Sequence, residues 1–267
     1  MPALCIALRV CEAMAGLRHV TGHPGAPPVR PNLSLGDSLA ALHTAFGVMT
    51  ALYHRDGRSG GGQIIDTAIT EAVMAMTEAM IPEQDRLGLT RQPSGTTITG
   101  IVPSNAYPCQ DGKWLVIGAN GEALFRRLCA VIGRPDLAEA HGSNVARVAH
   151  QPEIDAAIGH WTGQHTQREA TLALLEAEVP FGPIYDAQDV LADPHYQQRG
   201  VFERVEVAGR PLALSPLGPK LSATPGESRW AGPDAVGADT DAVLSGLLGL
   251  DPPALAALEA DGIIVRG

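Results

Sequence analysis

Apolar residues recur at helical spacing in the first third of the chain and predict its longest element. A helix is expected from about Asp37 to Arg55, with one apolar stripe along its surface. The stripe consists of Leu39, Leu42, Phe46, Met49 and Tyr53. We expect it to be buried, because such a stripe normally packs against another layer of a domain. A short strand at Gln63–Ala68 and a second apolar helix at Ile69–Met80 follow.

Strand-like alternation appears further along the chain. Asp111-Gly112 separates Ala106–Cys109 from Trp114–Ala119 and predicts a β-hairpin. Alternation returns across Val201–Leu214, with a turn at Gly209. A last strand is expected at Ile263–Val265.

Capping residues mark several helix starts. Thr166 with Glu169 forms a capping box. Asp193-Pro194 combines an N-cap with proline at the first helical position. Further N-caps are predicted at Asn120, Asp239 and Asp251. Helices and strands in this order indicate an α/β protein.

The composition indicates a globular protein with a mainly aliphatic core. The chain has 267 residues, of which 45% are hydrophobic and only 4% aromatic. Its net charge of −10 argues against nucleic-acid and anionic-membrane partners, because both are polyanions. No apolar run approaches the roughly 20 residues that span a bilayer, and the start lacks the features of a signal peptide. A cytoplasmic protein is expected.

The four cysteines suggest neither a metal site nor a disulfide scaffold. Cys5, Cys11, Cys109 and Cys129 lack zinc-site spacing and are too few for a stapled fold, so we expect reduced thiols and no metal. The sequence also lacks the GxSxG, Walker, HExxH and GxGxxG motifs. The glycines at 60–62 precede a predicted strand rather than a helix and so indicate a turn.

Asp37 is the strongest candidate for chemistry. It lies at the predicted start of the long helix, where free backbone N–H groups and the helix dipole favour a carboxylate. Such a carboxylate could act as a nucleophile, and Gly36 before it would leave room for a substrate. An ordinary N-cap aspartate fits the same position and is the commoner role.

A series of short stretches resembles the class III CoA transferases, the CaiB/BaiF family. The stretches are Arg30–Ser38, the helix through Arg55, Gly61–Asp66, Val102–Cys109, Asp111-Gly112, Arg134–Asp136, Asn144–Arg147, Val179–Ile184, Ala192–His195 and Arg199-Gly200. No single stretch is diagnostic. Their order and spacing are highly specific and extend from about Glu12 to the C-terminus.

The resemblance implies a CoA transferase with Asp37 as its nucleophile. In this family an aspartate before a long helix attacks an acyl-CoA and then carries CoA as an aspartyl-CoA thioester. Coenzyme A and acyl-CoA are therefore implied as substrates, together with a carboxylic acid, and no permanently bound cofactor is expected. A glycine-containing loop lies over the family's active site, and Ser94–Gly100 is the local counterpart. Gly95 and Gly100 would contact substrate there, or the segment is a plain interdomain loop.

Two other functions are the alternatives. Acyl-CoA racemases or isomerases share the fold but need an acid/base pair. They place glutamate after the tyrosine of the hairpin's first strand, where this chain has Pro108 after Tyr107. Proline cannot titrate, which favours the transferase. The third reading is a non-catalytic fragment or partner subunit. Among transferases, the resemblance is closest to members acting on dicarboxylic or hydroxy-acid CoA esters.

The resemblance also implies the architecture. We expect an α/β fold with an incomplete Rossmann-like large domain, residues 1–92 and 196–267, and an inserted small α+β domain, residues 93–195. Family members begin with a nucleotide-binding half that this chain lacks, so it resembles a C-terminal portion with an uncovered apolar face. An interlocked homodimer is implied for an intact protein. The isolated chain is expected to aggregate or pair, with little activity.

Overall fold

The computed structural model divides the chain into two compact units. The division falls between Ile184 and Tyr185. The structure describes residues 8–58, 60–207, 209–215, 218–228, 232–233 and 235–267. Both units contain helices and strands, which confirms the mixed α/β architecture. The Rossmann-like domain with its insertion stays a prediction.

The N-terminal unit opens with a helical region. Its helices are α1 (Leu8–Met14), α2 (Leu17–Val20), α3 (Leu35–Gly57), α4 (Ile69–Met74) and α5 (Met80–Leu87). The long predicted helix is confirmed as α3. The single helix expected at Ile69–Met80 is wrong, because α4 ends at Met74 and Glu78 adopts φ 53°. A residue in this left-handed conformation cannot continue a right-handed helix.

Helix α3 packs against the chain through its glycines. A Cβ on Gly36 would lie 3.1 Å from Ile69 Cγ2, and a Cβ on Gly47 would lie 3.1 Å from Ile65 Cγ2. Both glycines therefore permit a close approach to α4 and to the segment before it. The inward face of α3 within this chain is its glycine face.

The apolar stripe of α3 is largely exposed, so its predicted burial is wrong. Phe46 is 75% exposed, and the other members except Leu39 are also exposed. Helix α3 has two faces suited to packing, and the described residues cover the glycine face only. Periodicity identified the stripe correctly, but burial requires a partner surface as well.

Helix α3 also has the length and composition of a membrane-spanning helix. Its most apolar window has a mean hydropathy of 1.2, and only 11% of that window is buried. This property depends on length and composition alone. Core helices of soluble proteins share it.

Two short strands expected from the sequence are absent. Gln63–Ala68 and Ile263–Val265 have no regular secondary structure, and Ile64 is 97% exposed. A strand requires a neighbour that pairs with its backbone N–H and C=O groups. Neither segment has such a neighbour among the described residues.

A three-stranded antiparallel sheet organises the rest of the N-terminal unit. Its strands, in spatial order, are β1 (Ser104–Pro108), β2 (Trp114–Gly118) and β3 (Phe181–Pro183). The predicted hairpin is confirmed, with Tyr107 opposite Leu115. Gly112 adopts φ 77° in its turn, a conformation that favours glycine.

Helices between β2 and β3 enclose a hydrophobic core with the sheet. They are α6 (Glu122–Val131), α7 (Pro135–Ala140), α8 (Asn144–Ala149), α9 (Gln151–Thr162) and α10 (Gln167–Glu176). The core extends in sequence from Val102 to Val179 and is mostly aliphatic, as the composition indicates. The capping box of Thr166 and Glu169 is confirmed. The N-cap of α6 is Gly121 rather than Asn120, because the helix begins one residue later than expected.

The C-terminal unit contains short helices and one hairpin. Its elements are α11 (Ala187–Ala192), α12 (Pro194–Gln198), β4 (Glu203–Val207), β5 (Arg210–Leu214), α13 (Thr240–Leu248) and α14 (Pro252–Ala260). Strands β4 and β5 pair antiparallel, as the alternation predicts. Asp193 and Asp251 cap α12 and α14 through their side chains. Asp239 occupies the N-cap position of α13 without a side-chain capping bond.

We expect the apolar stripe to drive association of the chain, because a contiguous exposed apolar surface gains free energy when a partner covers it. Phe46→Glu should lower the associated fraction several-fold in size-exclusion chromatography with light scattering. Val145→Glu is the matched control, since Val145 is 82% exposed but lies on α8. A monomeric wild-type chain, or equal effects of the two substitutions, would contradict this expectation.

Candidate active site at the start of helix α3

Asp37 lies in the first turn of α3, as the sequence predicts. It is the third helical residue, after the N-cap Ser34, and its side chain is half-buried. Ser34 makes no side-chain capping bond. Among the described residues, no group donates a hydrogen bond to the Asp37 carboxylate or forms an ion pair with it. The carboxylate is therefore not occupied as an ordinary capping acceptor, and the helix N-terminus favours its negative charge.

Gly36 is buried immediately before Asp37. Its missing Cβ would lie 3.1 Å from Ile69 Cγ2 and 3.4 Å from Val73 Cγ2. Glycine at this position therefore allows α3 to contact α4 closely. The structure thus supplies a packing reason for Gly36, while its expected role in admitting a substrate stays a prediction.

A buried glutamate contacts the same turn and was missed by the sequence analysis. Glu12, on α1, is 3% exposed. Its Oε1 accepts a hydrogen bond from the Gly36 N–H at 3.4 Å, and its Oε2 lies 3.5 Å from Arg18 Nε. Nothing local marks Glu12, because its partner is 24 residues away along the chain.

The loop containing Gly95 and Gly100 is shaped by its own backbone. The two glycines adopt φ 69° and 82°, conformations that favour glycine whatever the ligand. The Gly95 N–H donates to the Gly22 carbonyl at 2.8 Å. No hydrogen bond or ion pair between described residues links this loop to Gly36 or Asp37. The structure therefore does not bring the four candidate residues together by direct bonds.

Asn144 and Arg147 clamp the C-terminal end of that loop. Asn144 Nδ2 donates to the Gly100 carbonyl at 2.9 Å, and its Oδ1 accepts from the Val102 N–H at 3.2 Å. Arg147 Nε donates to the Val102 carbonyl at 2.7 Å. The sequence presented these two residues only as part of the family resemblance, and their contacts with the loop span more than 40 residues.

The described cysteines are buried thiols. Cys11, Cys109 and Cys129 are free and buried. Burial raises the pKa of the Cys129 thiol to about 11 and also raises the pKa of Cys109. A protonated, buried thiol is a poor nucleophile. The burial of these thiols favours Asp37 over the described cysteines as an acyl acceptor.

Two clefts lie in the described part of the N-terminal unit without Asp37 in their lining. One cleft of about 220 Å³ lies between α2, the start of α5 and the loop at Ser94–Thr99. Another, of about 290 Å³, is lined by His43, Gly47 and the 65–72 segment. Neither includes Asp37. No cluster of metal-ligating side chains occurs in the part of the chain that the structure describes.

The model of CoA-transferase family III matches residues 9–240. This chain belongs to CoA-transferase family III. The match includes α3, the glycine loop and all four candidate site residues. The family resemblance found in the sequence is therefore confirmed.

This chain is similar to named CoA transferases but covers only part of their length. It is 41% identical over 256 residues to the succinyl-CoA–D-citramalate CoA-transferase of Chloroflexus aurantiacus, covering 95% of the chain and 63% of that protein. It is 34% identical over 259 residues to the same organism's succinyl-CoA–L-malate CoA-transferase alpha subunit, covering 96% and 60%. The chain thus spans about three fifths of the length of these relatives.

The fold agrees with a solved family III structure. A CaiB/BaiF family protein from Brucella suis is 25% identical, with a TM-score of 0.66 over 80% of this chain and 56% of that one. The described elements therefore form part of the family fold.

Proposed function

We propose that this protein is a CoA transferase that moves CoA from an acyl-CoA donor to a carboxylic acid acceptor. The observation that carries the proposal is the Asp37 carboxylate, which lies half-buried in the first turn of α3 without a bond to another described group. Family membership supplies the reaction class. We propose Asp37 as the covalent carrier of CoA.

The first half-reaction transfers CoA to the protein. A carboxylate oxygen of Asp37 attacks the donor thioester carbonyl, the carbon–sulfur bond breaks, and CoA thiolate leaves a mixed anhydride. The thiolate then attacks the Asp37 carbonyl carbon and expels the donor acid as its carboxylate. The product is an aspartyl-CoA thioester, and no oxidant or metal is required.

The second half-reaction returns Asp37 to its starting state. The acceptor carboxylate attacks the aspartyl carbonyl and releases CoA thiolate, which then attacks the acceptor's acyl carbon. The Asp37 carboxylate leaves. Each step places negative charge on a carbonyl oxygen, which nearby backbone N–H groups can stabilise. We propose that Gly36, Gly95 and Gly100 contact the substrate by close backbone packing. The N–H groups of Gly36 and Gly95 are not the stabilising donors, because they already donate to Glu12 and to the Gly22 carbonyl.

We propose succinyl-CoA as the donor and a small hydroxy or dicarboxylic acid as the acceptor. This proposal rests on relatives named for succinyl-CoA with D-citramalate and with L-malate.

We propose that the protein acts as an interlocked homodimer with the predicted two-domain architecture. The large domain would comprise residues 1–92 and 196–267, and the small domain residues 93–195. The exposed stripe of α3 supports the need for a covering surface. A cytoplasmic location is proposed with it.

Two alternative functions remain, an acyl-CoA racemase and a non-catalytic partner subunit. A racemase lacks support at the hairpin, where Pro108 follows Tyr107 and the Tyr107 hydroxyl donates to Asp155 Oδ1 at 2.6 Å. Burial, followed by this bond to Asp155, raises the pKa of Tyr107, so it stays protonated at neutral pH. A non-catalytic partner subunit is favoured by the exposed stripe.

Chemical trapping tests the proposal. The chain is incubated with succinyl-CoA and then with hydroxylamine or borohydride, and the modified residue is located by mass spectrometry of peptides. We expect modification at Asp37 only when succinyl-CoA is present. One turnover is sufficient, so slow transfer by the isolated chain would not hide it. Exchange of the substrate's α-proton without labelling of Asp37 would indicate the racemase. The absence of both labelling and exchange would indicate the non-catalytic partner subunit.

A further inference from the structure

Glu12 is buried where the long helix begins. It is 3% exposed, and the other aspartates and glutamates among the described residues are all more exposed. Its Oε1 accepts from the Gly36 N–H at 3.4 Å. Its Oε2 lies 3.5 Å from Arg18 Nε and accepts no hydrogen bond from the described residues. Burying a carboxylate is unfavourable unless it is compensated, so this position calls for a specific explanation.

The backbone at the start of α3 lacks a local cap. The first N–H groups of a helix have no partner within the helix. Ser34 occupies the N-cap position, but its side chain makes no capping bond. Glu12, which lies on α1, accepts a hydrogen bond from the N–H of Gly36, the second residue of α3. It therefore replaces the local cap at the residue directly before Asp37.

We propose that Glu12 is a positioning residue for Asp37: its buried carboxylate holds the Gly36 N–H and thereby sets the first turn of α3. The inference rests on the proposed transfer reaction. Asp37 must first present an oxygen to the donor carbonyl and then present its own carbonyl carbon to CoA thiolate. Both attacks require a defined carboxyl geometry, and small displacements lower such rates.

Two substitutions separate the hydrogen bond from the charge. Glu12→Gln retains a side-chain oxygen that can accept from Gly36, whereas Glu12→Ala retains no acceptor. Glu78→Gln is the matched control, because Glu78 also pairs with an arginine, Arg91 at 3.3 Å, and lies outside α1 and α3. Amide hydrogen exchange at Gly36 reports the bond without requiring turnover. The rate at which Asp37 is labelled in the trapping experiment, measured at several acyl-CoA concentrations, reports how well its carboxylate is positioned.

We expect Glu12→Ala to raise exchange at Gly36 by about tenfold, the scale of a lost helix-capping bond. Exchange in the middle of α3 should be unchanged. The maximal labelling rate should fall by at least about tenfold, with its half-saturating acyl-CoA concentration unchanged. Glu12→Gln should restore both properties to within about threefold of wild type, and Glu78→Gln should resemble wild type.

The failures of the two proposals are distinguishable. If wild type takes no label at Asp37, the transfer proposal fails and this inference fails with it. If wild type is labelled and Glu12→Ala is labelled equally fast, only the positioning role is overturned. The role is also overturned if both Glu12 variants slow labelling equally while exchange rises uniformly along α3, because that result describes general destabilisation.

Discussion

Replacing Asp37 by asparagine is expected to abolish CoA transfer. Asparagine has nearly the same shape but no anionic oxygen to attack the thioester, so the covalent route is closed. The loss should be roughly 10³-fold or more, as for other removed nucleophiles. Transfer is measured as the initial rate of formation of the acceptor's CoA ester, in the assembly in which the wild-type chain is active.

The control for Asp37→Asn is Asp85→Asn, because Asp85 is an exposed aspartate on α5. It should transfer CoA at the wild-type rate. Asp37→Asn should shift the unfolding midpoint only slightly, because the carboxylate makes no bond to the described residues and loses only its interaction with the helix N-terminus, about 0.3–1 kcal/mol. Transfer by Asp37→Asn within tenfold of wild type would exclude Asp37 as the CoA carrier.

Replacing Arg147 by methionine is expected to lower the free energy of unfolding by about 3–5 kcal/mol, because the buried Val102 carbonyl and two partly buried carbonyls lose a charged donor. The Arg147 side chain is 1% exposed. Its guanidinium donates to the Val102 carbonyl at 2.7 Å, the Gly142 carbonyl at 2.6 Å and the Asn120 carbonyl at 2.5 Å. Burial lowers the pKa of Arg147 from its usual value. Urea unfolding followed by circular dichroism measures the change.

Arg134→Met is the matched control for Arg147→Met. Arg134 also makes short bonds, donating to the Asp136 carboxylate at 2.7 and 2.8 Å, but its side chain is 41% exposed. Water can replace those bonds after the substitution, so the loss should be much smaller. Equal losses for the two arginines would show that burial of the guanidinium is not what makes Arg147 important.

The candidate site was only partly accessible from the sequence. Asp37 was placed correctly because a helix start is a local pattern of capping and apolar residues. The positive φ values of Gly95 and Gly100 agree with their glycine identity. Glu12 and Arg147 were not identified, since their partners lie 24 and 45 residues away. Side-chain types at such separations carry no pattern that a single sequence reveals.

The apolar stripe of α3 was also only partly predictable from the sequence. The pattern from Leu39 to Tyr53 correctly predicts a helix with an apolar face. It does not reveal that α3 would instead pack through Gly36 and Gly47. Small residues can support close helix contact, but they also occur where nothing approaches. Which face is buried depends on the surfaces that the rest of the fold presents.

By itself, the sequence determined several local elements and the family. The long helix, the Asp111-Gly112 hairpin and the capping box at Thr166 all depend on residues close together along the chain. The tertiary structure alone decided that Gln63–Ala68 forms no strand, that the α3 stripe is exposed and that Glu12 reaches Gly36. The reason is physical: backbone pairing, burial and buried charge compensation each require a partner, and distant segments supply it.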